Sequence, residues 1–264
     1  MKNRYLFIGL VIILGVVSYF IFMVRDDSVL TIKEKGKFVV GLDDTFAPMG
    51  FRDDDGNLVG FDIDLARAAA EKMGVDVEFK AVDWDGVILS LRNGSIDVIW
   101  NGMTITEERA EKINFTDPYM NNRQVIVVTK DSKIEKKADL VDKIVGLQMG
   151  SSSMNALNSD QELVNSLEEV RQYTTNAEAL MDLQIGRIDA LVVDEMHGRY
   201  YYLSKKPGVY RVLEEDLGWE LYGVGVRKGD EAFLNELNSV LDEMKADGTA
   251  EEISFKWFGE NVLK

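Results

Sequence analysis

Polar residues that could bind a small charged molecule follow the short apolar segments of this 264-residue chain. In segment 101–109, NGMTITEER, Gly102 would let a ligand approach the backbone closely, and Thr104 carries a hydroxyl group. Arg109 offers a planar guanidinium that matches a carboxylate through two hydrogen bonds. The segment therefore indicates a carboxylate site. The alternative for Arg109 is a solvated charge on a helix surface.

A second polar segment, Gly150-Ser151-Ser152-Ser153, follows an apolar run and precedes a helical pattern. Exposed amides at the start of a helix favour an anion, and serine hydroxyls add hydrogen-bond donors. The alternative is ordinary capping of the helix. A nucleophilic serine is not indicated, because the chain lacks a G-x-S-x-G motif and contains a single histidine.

Acidic and aromatic residues supply the other features of a site for a charged ligand. Asp194 ends an apolar run, and a carboxylate there, across from Arg109, would suit an ammonium group. Asp43 occupies the matching place after an earlier apolar run. Phe46 and Trp84 stand where aromatic rings can flank a ligand or stack on a cation, with core packing as the alternative role for each.

The composition excludes several classes of site. The chain has no cysteine and one histidine, His197, so disulfides, zinc–thiolate sites and sites with two imidazoles are impossible. An Asp-x-Asp-x-Asn run at 53–57 lacks the glycine and the glutamate of a calcium loop. The net charge of −16 disfavours binding to nucleic acid. We therefore expect no metal, no cofactor and no nucleic-acid partner, and we expect His197 on a helix surface.

Strands and helices alternate along the chain after residue 36, which predicts an α/β protein with largely parallel sheets. Capping-box patterns at Thr175 and Thr249 predict helix starts. The predicted strands and helices of the first part of this pattern are strands at 38–42, 75–82 and 96–100, and helices at 62–73 and 84–92.

An internal repeat indicates two α/β units of related topology. The segment 91–97, LRNGSID, recurs as 183–189, LQIGRID, and 40–43, VGLD, resembles 145–148, VGLQ. Ligands of open α/β sheets bind beyond the carboxyl ends of the strands. Two facing units would therefore bring their strand ends together at one cleft.

The N-terminus is predicted to be a membrane anchor. Residues 5–24 carry no charge, and at about 1.5 Å per residue they span about 30 Å, the thickness of the hydrocarbon core. Lys2 and Arg4 precede the run, which orients the following residues to the outside. We therefore predict a transmembrane signal anchor at 1–24, favoured over a cleaved signal peptide, and a polar tether at 25–34. The rest of the chain would lie on the extracellular or periplasmic face of the cell membrane.

These motifs, taken in order, resemble those of the polar amino-acid substrate-binding proteins of ABC importers, solute-binding protein family 3. The resemblance covers roughly 35–262. It rests on 41–48 (GLDDTFAP), 60–65 (GFDIDL), 84–86 (WDG), 102–109 (GMTITEER), 115–119 (FTDPY), 148–152 (QMGSS), 189–194 (DALVVD), 248–249 (GT) and 257–259 (WFG).

The resemblance implies the two-lobe type II periplasmic-binding-protein fold with a ligand cleft. Lobe 1 would comprise 35–120 and 223–264, and lobe 2 would comprise 121–222. The hinge strands would lie near 119–123 and 218–222.

The resemblance also implies roles for individual residues. Arg109 would bind the ligand α-carboxylate with the amides of Thr104 and Ser152. Asp194, the Thr104 hydroxyl and the Gly102 carbonyl would hold the α-ammonium group. Asp43 would meet the ligand side chain between Phe46 and Trp84. The implied ligand-binding set is Asp43, Phe46, Trp84, Gly102, Met103, Thr104, Arg109, Gln148, Ser151, Ser152 and Asp194.

The ligand class is predicted from the acidic residue Asp43 and from Gln148, a position at which this chain differs from some relatives. Glutamine-binding relatives have a lysine in the place of Gln148, which argues against a preference for glutamine. Asp43 with Trp84 would suit a cationic side chain such as arginine or lysine, while a neutral amide stays an alternative. We expect a monomeric binding protein, not an enzyme, that delivers an amino acid of the arginine, lysine or glutamine class to an ABC permease. The alternatives are a sensory input domain and a dehydratase-like enzyme on the same fold.

Overall fold

The computed structural model describes residues 26–200 and 205–264. The predicted membrane span at 5–24 lies outside these residues. Within the described part of the chain, none of the helices has both the length and the apolar character that crossing a membrane requires.

The first described element is a helix, α1 (Ser28–Lys35), in the segment predicted as a tether at 25–34. The side chain of Ile32 is buried, and the Ser28 hydroxyl accepts a hydrogen bond from the backbone N–H of Phe233 over 3.1 Å. The prediction of a polar tether is therefore wrong here. Although the segment is mostly polar, Val29 and Ile32 face the core, and they hold the helix against the domain.

A five-stranded sheet forms the first lobe, with the strand order β5-β1-β6-β13-β7. β1 is parallel to β5 and β6, whereas β13 runs antiparallel to β6 and β7. A small sheet of β2, β3 and β4 flanks it. The strands are β1 (Lys37–Leu42), β2 (Thr45–Phe46), β3 (Gly50–Arg52), β4 (Leu58–Val59), β5 (Asp76–Ala81), β6 (Val98–Ile99), β7 (Asn114–Phe115) and β13 (Gly225–Val226).

Helices pack on both faces of this sheet. The amphipathic helix α2 (Phe61–Met73) buries one apolar face, which includes Phe61, Leu65 and Ala69. This face packs against Phe38 and its neighbours on the sheet. Besides α1, the helices are α2 (Phe61–Met73), α3 (Val87–Arg92), α4 (Glu107–Lys112), α9 (Glu231–Ala246) and α10 (Thr249–Phe258), with a 3₁₀ turn at Trp84–Gly86.

A second five-stranded sheet forms the second lobe, with the order β10-β9-β11-β8-β12. β9 is parallel to both β10 and β11. The strands are β8 (Met120–Thr129), β9 (Ile144–Gln148), β10 (Glu169–Tyr173), β11 (Ala190–Asp194) and β12 (Tyr210–Tyr222). The helices are α5 (Ser153–Asn158), α6 (Gln161–Ser166), α7 (Asn176–Gln184) and α8 (Glu195–Arg199), with a 3₁₀ turn at Lys137–Leu140.

Two long antiparallel strands connect the lobes. β8 and β12 pair from Met120 opposite Tyr222 to Thr129 opposite Tyr210. Where they meet the first lobe, the backbone N–H of Tyr119 donates to the carbonyl of Tyr222 over 3.0 Å. The chain thus passes between the lobes at two adjacent points, which is the arrangement that permits a hinge.

The prediction of a two-lobe α/β protein is confirmed, and some local details differ from the prediction. Thr175 forms the predicted capping box with Glu178 at the start of α7. Thr249 does not cap α10, because the helix begins at that residue and Gly248 occupies the capping position in a left-handed conformation. His197 is fully buried, so the prediction of a surface position is wrong.

Candidate functional site

Polar side chains from both lobes line one cavity, and they come from residues that end or follow strands. Asp43 follows β1, Gly102 follows β6, and Gln148 and Asp194 are the last residues of β9 and β11. Because the carboxyl ends of parallel strands share one edge of a sheet, each lobe presents its polar residues to the other. The space between the lining residues, including the part that opens to solvent, is about 280 Å³. Its lining residues are Asp43, Phe46, Trp84, Asn101, Gly102, Thr104, Arg109, Gln148, Ser151, Ser152 and Asp194.

All the predicted site residues except Met103 line this cavity. Met103 is fully buried in an apolar cluster with Leu91, Ile99 and Ile113, so its side chain belongs to the core and does not line the cavity. Met103 packs in the core, while the next residue, Thr104, forms a β-bridge with Tyr222 and lines the cavity. Direct contact of the lining residues with a ligand stays a prediction.

Arg109 joins the two lobes. Thr106 caps α4 by accepting a hydrogen bond from the backbone N–H of Arg109 over 3.2 Å, which fixes the start of the helix that carries the guanidinium. Nη1 donates to the carbonyl of Thr104 over 2.8 Å, and Nη2 donates to the carbonyl of Gly150 in the other lobe over 2.9 Å. Arg109 is 8% exposed, which excludes the alternative of a solvated surface charge.

Asp194 is buried at the end of β11 in the second lobe. Its Oδ1 accepts hydrogen bonds from Asn122 Nδ2 over 2.6 Å and from the Tyr222 hydroxyl over 2.7 Å. Burial, and then the negative charge of Glu220, raise the pKa of Asp194 to about 7. A cation that approaches this carboxylate would favour its ionised form, so the group is suited to an ammonium ligand.

Asp43 and Gln148 form a hydrogen bond between the lobes. Gln148 Nε2 donates to Asp43 Oδ2 over 2.7 Å and to the carbonyl of Thr174 over 3.0 Å. The other oxygen of Asp43 accepts from the backbone N–H and the hydroxyl of Thr45, over 2.9 and 2.7 Å. These bonds orient the carboxylate toward the cleft.

Phe46 and Trp84 both line the cavity and pack in apolar clusters. Trp84 packs in the apolar cluster of α3, and Phe46 stacks on the ring of His197 with centroids 5.0 Å apart. The Nδ1 atom of His197 lies 2.6 Å from the carbonyl oxygen of Ala47. Burial lowers the pKa of His197 to about 4, so the ring is neutral at physiological pH.

Three residues at the cavity are absent from the implied ligand-binding set. Asn101, which stands with Gly102 at a predicted strand end, lines the cavity, and its Oδ1 accepts from the backbone N–H of Asp43 over 3.1 Å. Glu220 and Gln124, which contact the Ser152 hydroxyl, lie on β12 and β8 in patterns that mark them only as strand residues.

No group of three or more acidic or histidine side chains in residues 26–200 and 205–264 is arranged to hold a metal ion. The charged groups that line the cavity are the guanidinium of Arg109 and the carboxylates of Asp43 and Asp194. Both carboxylates accept hydrogen bonds from neutral donors. Such a set can recognise a zwitterion, because the opposite charges stand at separate places in one cavity.

Comparison with known proteins defines the class of this protein. A sequence profile of the bacterial extracellular solute-binding proteins, family 3, matches residues 38–260, and the chain belongs to that family. The resemblance predicted from the motifs is therefore confirmed.

Individual relatives extend over nearly the whole chain. The L-cystine-binding protein TcyJ of Escherichia coli (strain K12) is 35% identical over 242 residues, which make up 90% of this chain and 89% of TcyJ. A substrate-binding protein of an ABC uptake transporter from Streptococcus pneumoniae, solved with bound histidine, is 40% identical with a TM-score of 0.87, covering 90% of this chain and 98% of that one. An ancestral arginine-binding protein solved with arginine is 43% identical with a TM-score of 0.79, covering 85% and 99%.

Proposed function

We propose that this protein binds an α-amino acid between its lobes and delivers it to the permease of an ABC importer. The observation that carries the proposal is that buried Arg109 and buried Asp194 line one cavity from different lobes. An α-carboxylate would bond to the guanidinium, and the α-ammonium group would bond to the carboxylate. The relatives named above bind cystine, histidine or arginine, which supports an amino acid as the ligand.

The charges around the cavity favour an amino acid with a cationic side chain. Asp43 and Asp194 line the cavity and Glu220 lies behind it, whereas Arg109 is the cation that lines it. A zwitterion would satisfy Arg109 and one carboxylate and leave Asp43 near its side chain. Arginine or lysine would neutralise Asp43, and glutamine could bond to it as a neutral donor.

Binding would stabilise the closed arrangement of the lobes. Arg109 with the carbonyl of Gly150, and Gln148 with Asp43, already bond across the cleft. A ligand held by both lobes adds contacts that only the closed state can make, and β8 and β12 would act as hinge strands. A micromolar dissociation constant corresponds to about −8 kcal/mol. A single charge-assisted hydrogen bond contributes about 1.5–3 kcal/mol, so the ammonium contacts and the aromatic walls must also contribute.

The remaining parts of the proposal concern the cellular setting. The protein would act as a monomeric binding protein rather than an enzyme, and residues 5–24 would anchor it to the outer face of the cell membrane. The closed state would dock on the permease. The family description, extracellular solute-binding, supports a location outside the cytoplasm.

A thermal-shift panel of the twenty amino acids on the full-length chain tests the proposal. A ligand at a hundred times its dissociation constant stabilises the folded state by about 2.7 kcal/mol, and we expect the basic amino acids to give the largest shifts. Mass spectrometry should recover the bound amino acid unchanged. If none of the twenty shifts the melting temperature, the proposed function is wrong.

A further inference from the structure

One carboxylate oxygen of Glu220 collects hydrogen bonds from both lobes. Glu220 lies on β12, directly opposite Asn122 of β8, and is partly buried. The donors to its Oε2 atom are Thr104 Oγ1 at 3.0 Å, Asn122 Nδ2 at 3.1 Å, Gln124 Nε2 at 3.0 Å and Ser152 Oγ at 3.2 Å.

These bonds bear on the orientation of two hydroxyl groups at the cavity, whose oxygens also lie 3.1 Å from each other. Thr104 belongs to the first lobe and Ser152 to the second, and both side chains line the cavity. Each hydroxyl has one hydrogen, and an ionised carboxylate can only accept. When both hydroxyls donate to Glu220, they present lone pairs elsewhere, and lone pairs are what an ammonium group needs.

Asn122 links Glu220 to the proposed ammonium site. Its Nδ2 atom lies 2.6 Å from Asp194 Oδ1 and 3.1 Å from Glu220 Oε2, so the two hydrogens of one amide can serve two carboxylates. The carboxylates of Asp194 and Glu220 are therefore held near each other. Tyr222 also contacts Asp194 on this side of the cavity.

We propose that Glu220 is a positioning residue for the ligand ammonium group, which orients the Thr104 and Ser152 hydroxyls as acceptors and adds a second negative charge beside Asp194. This inference rests on the proposed function. It follows that the site selects an α-ammonium group over an α-hydroxyl group. It also follows that ligand uptake displaces a proton from Asp194.

Binding of the ligand ammonium group is coupled to the protonation of Asp194. Because Glu220 helps to keep the pKa of Asp194 raised to about 7, part of the Asp194 population is protonated at neutral pH, and an incoming ammonium group must displace that proton. Affinity should therefore fall as the pH drops below 7, and neutralising Glu220 should move that fall to lower pH. The groups that face Asp194 are Arg109 from α4, Glu220 and Tyr222 from β12, and the neutral Asn122 and Gln124 from β8.

The test is calorimetry on the full-length chain with L-arginine and with its 2-hydroxy analogue, from about pH 5 to about pH 8. In the native protein, affinity for arginine should fall about tenfold per pH unit below the midpoint, as linkage to one proton requires. Glu220→Gln keeps the acceptor oxygen but removes the charge. We expect its midpoint at lower pH and a preference for arginine over the hydroxy analogue reduced by about tenfold, the size expected for one charge in a partly buried site.

Two further variants separate positioning from structure. Glu214→Gln removes the same charge from an exposed position of β12 and should leave both readouts unchanged. Glu220→Asp keeps the charge and should keep the native midpoint even if its shorter side chain weakens binding. An unchanged midpoint and preference in Glu220→Gln would overturn the inference, as would equal shifts in Glu220→Gln and Glu220→Asp.

Failure of the proposed function gives a different result. In that case the native protein itself binds none of the twenty amino acids at any pH. If the native protein prefers another amino acid to arginine, that amino acid and its 2-hydroxy analogue replace arginine in the same comparison, with the same expected outcomes.

Discussion

Replacing Arg109 by lysine separates the charge of the guanidinium from its shape. The native side chain donates to the carbonyls of Thr104 and Gly150, which belong to different lobes, while it lines the cavity. A lysine ammonium carries the same charge, but it is a point donor on a flexible chain and lacks the planar fork. It cannot hold both carbonyls and bind a carboxylate in two places.

The expected loss follows from the number of bonds. A charge-assisted hydrogen bond contributes about 1.5–3 kcal/mol, so losing one weakens binding by about 10- to 150-fold. Arg109→Ala removes every bond of the guanidinium and leaves the ligand carboxylate buried without a cationic partner. Its affinity should fall below detection, because the cost of an unpaired buried charge is added to the lost bonds.

Isothermal titration of the native protein and the two variants with the preferred amino acid measures these losses. Arg92→Lys makes the same replacement at an exposed position of α3 and should bind with native affinity. If Arg109→Lys binds within about twofold of the native protein, the guanidinium does not bridge the lobes and ligand as described.

Three further changes test other parts of the structure. Asp43→Asn should reduce the preference for arginine over glutamine by about tenfold in competition binding, since a charge-assisted bond becomes a neutral one; an unchanged ratio would remove Asp43 from the side-chain site. Gly60→Ala should lower the free energy of unfolding in urea by at least about 1–3 kcal/mol, because φ is +149° and an added Cβ would lie 2.2 Å from the carbonyl oxygen of Met49, whereas Gly86→Ala, with nothing within 4 Å of its Cβ, should change it little. The pKa of buried His197 is lowered to about 4 from its ordinary 6.5, so its contribution to stability is present above pH 6.5 and is lost, by about 3 kcal/mol in total, as the pH falls toward 4. His197→Phe should lose this slope in urea unfolding at stepwise pH, and a slope equal to that of the native protein would contradict the assignment.

Much of the fold could be predicted because its signals are local. The apolar run of β1, the amphipathic α2 ending at Gly74, and the capping box at Thr175 each depend on residues within a few positions of one another. The exception of helix α1, predicted as a tether, has a cause that is not local, since a short polar helix is stabilised by packing rather than by its own pattern.

The proposed site was partly readable for the same reason. Asp43, Gly102, Arg109 and Asp194 stand at or shortly after strand ends, and the topology of α/β sheets brings such residues to a common edge. The motif predicts Met103 in the site with its neighbours, but the direction of a single side chain depends on the backbone that surrounds it.

The amino-acid sequence by itself determined the order of strands and helices, the two-lobe class and the strand-end residues, because periodicity and turn chemistry act over short stretches of chain. Only the tertiary structure decided which distant side chains meet. Glu220 bonds to Thr104 across 116 positions, and the ring of His197 reaches Ala47 across 150. Contacts of this kind depend on how the two lobes close on each other, and no local pattern in the sequence records that geometry.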